Sequence, residues 1–166
     1  MDDRYADNKY IKMAAEEFAA NRSEEKLFQL FNVLLKRMLD EGEAPMPMVD
    51  VNNAMADLDL SNLGVGNTFQ LKQDMRLRID TVHNGTGVEW IPLYTDEKEM
   101  SLQPTTNISV NMGVYDILAS ALRSDRADGL VINPFSLGLI VPKDILRIVV
   151  ERYEKMKEEN EDFRNI

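Results

Sequence analysis

The chain has 166 residues, 44% of them hydrophobic and none of them cysteine. That supports one self-sufficient core and excludes disulfides, thiol nucleophiles, zinc ribbons and iron–sulfur clusters. Nineteen Lys and Arg against 29 Asp and Glu leave a net charge of −10, which opposes nucleic acid and anionic lipid as partners and permits a basic protein.

Residues 4–20 carry Tyr10, Ala14 and Phe18 at helical spacing, with Ile11 and Met13 alongside. "NRSE" then reads as a helix start, with Asn21 or Ser23 as the cap. The second helix runs to about Glu41, with Leu27, Leu30, Phe31, Leu34, Leu35 and Met38 as its buried face and Gly42 as its stop. In "APMPMVDV" two prolines exclude helix and suggest a strand near a sheet edge. Residues 51–68 read as a long polar loop.

From Phe69 to Ile79 apolar and polar residues alternate, as in a strand with one wet face. "HNGTG" closes a hairpin onto "VEWIPLYT", where Pro92 requires an edge or a bulge. "TDEKEM" reads as a short helix capped by Thr95 or Asp96, and "NISVNM" as another strand. Asn111 is a candidate cap for the helix bearing Tyr115, Leu118, Ala119 and Leu122. Two strands, Leu130–Asn133 and Leu137–Val141, flank a type I turn at Asn133-Pro134-Phe135-Ser136. Pro142 opens a terminal helix with Ile145, Ile148, Val149 and Met156 as its buried stripe and a charged tail that frays after Lys157.

Chemical motifs are scarce. His83 is the only histidine and sits beside a turn, which argues against an imidazole metal site or a Ser–His dyad. Asp57, Asp59 and Ser61 match the first spacings of a calcium loop, but Asn62 and Thr68 replace its glycine and its bidentate glutamate. Gly64 and Gly66 form a lone GxG without a preceding strand. No cofactor, metal ligand or catalytic residue is assigned. No apolar run reaches the ~18 residues of a membrane helix, and a cytoplasmic location with no membrane contact is expected.

Three stretches resemble one family. "EWIPLYTDEKEM" resembles the aromatic/aliphatic-Pro-aromatic-Thr motif of the SseB-type N-terminal domain, the family of the bacterial enhanced serine sensitivity protein. "DGLVINPFSLGLIVPKDIL" resembles its second motif, and "LFNVLLKRMLDEGEAPMPMV" its opening helix and proline-marked strand. The resemblance spans residues 27 to 150, in family order. It implies a bacterial cytoplasmic α+β domain with no catalytic residues to carry over. It also implies that 51–68 is an insertion and that the second domain of longer members is missing.

A single α+β domain over 1–166 is therefore expected. Its sheet would be mixed, mostly antiparallel and of five or six strands, with helices mainly on one face. The expected role is a non-enzymatic binding or regulatory module for an unknown protein or small molecule. The alternative is an acidic, immunity-like inhibitor of a basic partner. The candidate contact residues are Trp90, Tyr94, Asn133 and Phe135, aromatic area beside a turn of fixed geometry. Trp90 and Tyr94 share one face of their strand, and Ile91 and Leu93 share the other. If the odd face is buried, the even face is free for contact; if both are covered, the site fails. Phe135 is either tucked into the core or an exposed anchor.

Overall fold

The computed structural model describes residues 3–52, 54, 74–104 and 108–164. A 3₁₀ turn at Asp3–Tyr5 leads into α1, Asn8–Ala20, and α2, Glu24–Leu39. Ser23 caps α2, its side chain accepting from Lys26 N at 3.2 Å. Glu24 and Glu25 in the first turn and Lys36 and Arg37 in the last suit the helix dipole. The left-handed residue that ends α2 is Glu41, with φ 53°, and not Gly42. Gly42 is required for space, because a Cβ there would stand 2.3 Å from Arg37 Nε.

The strands form two sheets rather than the expected single sheet of five or six, although the class is α+β and the pairing mostly antiparallel. In the first sheet β1, Glu43–Asp50, lies between β2, Leu77–Ile79, and β5, Ile108–Gly113. The proline-bearing strand is thus central, which corrects the edge expectation. The physical reason is register. Met48 to Asp50 pair with β2, whereas Glu43 to Pro47 pair only with β5 and Met48 pairs with both. Pro47 O accepts from Asp80 N at 2.9 Å, so Pro45 and Pro47 turn their missing donors toward the side where β2 has not begun.

The second sheet has the order β3-β4-β6-β7: Val82–His83, Glu89–Leu93, Ala127–Ile132 and Leu139–Pro142. The Asn84-Gly85 signal does close a hairpin, between β3 and β4, with Val82 opposite Trp90. β4 and β6 run parallel, and their register shifts between Glu89 and Ile91. β3 ends before Pro92, which leaves that proline's side of β4 unpaired. Of the expected strand 69–79, only Leu77–Ile79 is strand among the described residues, and Phe69 to Gln73 lie outside them, as does most of 51–68.

Asp96 caps α3, Glu97–Met100, its carboxylate accepting from Glu99 N at 2.8 Å. Asn111 does not cap α4, Val114–Arg123; it lies in β5 and accepts from the Tyr5 hydroxyl, and Gly113 holds the cap position. The terminal helix α5 continues through the charged tail as Lys143–Arg164, and its apolar face packs on α2 and α4. That face is Leu146, Val149, Val150 and Tyr153; Ile148, expected on it, is exposed. One contiguous core joins Ile11, Leu34, Met46, Leu93, Ile117, Leu130 and Val149 across both sheets and the helices. Among the described residues no helix is long and apolar enough to cross a membrane.

Candidate functional sites: a polar strand end and an apolar groove

The parallel pair β4–β6 ends at Leu93 and Ile132, and the chain there is tied by one side chain. Asn133 is fully buried and left-handed, with φ 43°. Its Oδ1 accepts from Thr95 N at 3.0 Å, its Nδ2 donates to Thr95 Oγ1 at 3.0 Å, and its own N donates to Leu93 O at 3.0 Å. The carboxamide thus extends the ladder by imitating a peptide group. The Asn133 carbonyl accepts from the backbone N of Ser136, Leu137 and Gly138, at 3.1, 2.9 and 2.9 Å, which closes the turn. Gly138 leaves that turn at φ 64°, a conformation glycine adopts without strain.

A buried carboxylate stands beside it. Glu99 accepts from Ser136 Oγ at 2.6 Å and from Lys12 Nζ at 3.0 Å. Burial pushes its pKa up, but the Ser136 hydroxyl and the Lys12 ammonium outweigh this and hold it below the ordinary glutamate value. Tyr94 is fully buried, donates to Gln103 Oε1, and Gln103 Nε2 donates to Asp80 Oδ2 at 2.8 Å. Burial pushes the Tyr94 phenol well up, reinforced by the negative charges of Asp80 and Glu99.

The four sequence-predicted residues therefore divide. The odd face of β4, Ile91 and Leu93, belongs to the core, as the contact hypothesis required. The even face is nevertheless covered at its far end, and Tyr94 offers no surface, which corrects its place among the contact residues. Asn133 is also inaccessible and serves as a brace. Trp90 is half-buried, opposite Val82 in β3. Phe135 alone stands out, 46% exposed.

A second region escaped sequence reasoning. α2 and α5 pack side by side, and between them runs a groove of about 640 Å³. Phe28, Phe31, Leu35, Ile148 and Met156 supply its apolar lining, and Glu151, Arg152 and Lys155 a charged edge that is net positive by one. Phe28 is 64% exposed and Ile148 58%. Neither Arg152 nor Lys155 enters an ion pair among the described residues. The missed signal was the width of the apolar arc on α2. Phe28 adds a ninth apolar residue to 27–39, more than one neighbouring layer can cover.

His83 is exposed, with Nδ1 3.7 Å from Glu89 Oε1. Among the described residues no three His, Asp or Glu side chains are grouped as a metal site. Asp57, Asp59 and Ser61 lie outside the described residues. Comparison with family models, with curated proteins and with solved structures gives no match.

Proposed function

We propose that the chain is a cytoplasmic, SseB-type domain that works as a non-enzymatic interaction module, docking a partner helix in the α2–α5 groove. The observation that carries this reading is the exposure of Phe28 and Ile148 over one shared groove. Two large apolar side chains on adjoining rigid helices present stiff contact area that water solvates poorly. An amphipathic helix fits such a groove with apolar anchors at i, i+3/i+4 and i+7. Arg152 and Lys155 favour carboxylates on its flank, and the chain's net charge of −10 elsewhere disfavours other docking modes for an acidic helix. The family part of the reading is supported by the Thr95–Asn133 bonds, which join the two resembling motifs to each other across adjacent strands.

A photo-crosslinking amino acid at position 28 or 148, introduced in the producing cells, is expected to give one discrete adduct. The adduct should weaken when Arg152→Glu and Lys155→Glu are combined. A discrete adduct from position 135 and none from 28 or 148 would move the contact to the Asn133 turn and overturn the groove reading.

A further inference from the structure

Between α1 and α2 lies a hollow of about 390 Å³, lined by Asp7, Tyr10, Val33, Lys36, Arg37 and Asp40. Arg37 is its unusual member, because it is only 9% exposed. Its Nε donates to Asn8 Oδ1 at 2.7 Å and its Nη2 to the Arg4 carbonyl at 2.8 Å. Asn8 is itself fully buried and held by a 2.8 Å bond from its Nδ2 to Glu43 O, and Gly42 packs against the guanidinium where a Cβ would collide. The cation is therefore fixed in place. Both of its acceptors are neutral. Among the described residues no carboxylate oxygen stands within 4.0 Å of it, and the Asp40 carboxylate is taken by Lys36 at 2.7 Å.

A buried guanidinium ordinarily has a counter-ion, because dipoles alone replace its hydration incompletely. We propose that the hollow is a binding site for a small organic monocarboxylate, whose carboxylate is the counter-ion that Arg37 does not find among the described residues. The guanidinium edge not engaged by Asn8 and Arg4 offers charge-assisted N–H donors. The Tyr10 ring and Val33 form an apolar wall for the rest of the molecule. Asp7 and Asp40 in the lining repel a second negative charge, so phosphate and dicarboxylates are disfavoured. The site is separate from the α2–α5 groove and does not depend on it.

The test is a nitrogen–proton NMR titration of the full chain at constant ionic strength, with benzoate, benzyl alcohol and inorganic phosphate as probes. Benzoate is expected to cause saturable shifts around Tyr10, Val33 and Arg37. The other two probes should bind about tenfold more weakly, the share expected of a charge-assisted contact. Equal response to benzyl alcohol, equal response to phosphate, or no shift around these residues with benzoate each overturns the proposal. Removing Arg37 also removes the brace on Asn8 and can unfold the chain, so the paired variants are Val33→Glu and Val33→Gln. A glutamate at 33 precedes Arg37 by one helical turn and can supply the counter-ion from within. It should melt at a higher temperature than the glutamine variant and no longer respond to benzoate. Equal melting of the two, or benzoate binding unchanged by Val33→Glu, rejects the site.

Discussion

At the end of the β4–β6 pair polar side chains are buried, and along the α2–α5 groove large apolar ones are exposed. Each region breaks the usual partition, in opposite senses. At the strand end the cost of desolvation is offset inside the chain. Asn133 and Thr95 satisfy each other, Ser136 and Lys12 satisfy Glu99, and of the turn's large side chains Phe135 stays exposed. Along the groove none of the described residues covers Phe28 or Ile148, and both keep most of their surface exposed. The aromatic residues first assigned to contact lie mostly in the self-sufficient region. The surface left for recognition lies in the other. Substitutions should therefore act on stability in the first region and on association in the second.

The largest effect is expected at Asn133. Asn133→Ala strands the buried Thr95 N–H and places a Cβ-bearing residue without a compensating side-chain bond at φ 43°. An unsatisfied buried donor together with left-handed strain amounts to about 2–4 kcal/mol. Asn133→Asp keeps the acceptor but buries a carboxylate where the amide donor stood, and should cost at least as much near neutral pH. Urea unfolding measures both. A loss at Asn133→Ala no larger than that of an ordinary surface change would show that the strand end is not the internally balanced region described above.

A smaller effect belongs to Glu99, and it carries a pH signature. The folded-state pKa of Glu99 lies below its ordinary value, so its contribution is present above the unfolded glutamate pKa of about 4.3 and is lost as pH falls through the folded value. Glu99→Gln should cost about 1–2 kcal/mol near neutral pH, the scale of a hydrogen bond to a charged group. Stability curves of parent and variant should converge on acidification. Parallel curves down to pH 3, as an order-of-magnitude lower limit for the carboxylate range, would show that the Ser136 and Lys12 contacts do not bias its ionisation.

Local signals were legible in the sequence, and long-range partners were not. Ser23, Asp96 and the Asn84-Gly85 turn stand where capping and turn chemistry put them, because each acts within four residues. Asn133 was readable as a turn residue, but its bond to Thr95 spans 38 residues and depends on β4 and β6 being parallel neighbours. Glu99 was readable as a helix-start acid, whereas Lys12, 87 residues away, has no local signature. The prolines of β1 look like edge markers in the sequence. They are compatible with a central strand because the two neighbours pair with different halves of it. Ile148 falls by spacing on the expected buried stripe of the last helix. Periodicity gives a stripe's spacing, and only the packing of α5 against α2 decides which edge stays wet.

The smallest stability effect is expected where the association effect is largest. Phe28 keeps most of its surface in water, so Phe28→Ser forfeits only the minor part of a transfer energy that full burial would set at about 2–3 kcal/mol. The same holds for Ile148→Ser. Each should cost under about 1 kcal/mol in urea unfolding. Leu34→Ala, on the buried side of the same α2, should cost about 3 kcal/mol or more, since it opens a cavity in the core. The two surface substitutions should leave the chain folded while abolishing the crosslinked adduct at the groove. If Phe28→Ser instead destabilises as strongly as Leu34→Ala, the Phe28 ring is part of the core's own packing, and the groove loses its standing as a surface held open for a partner.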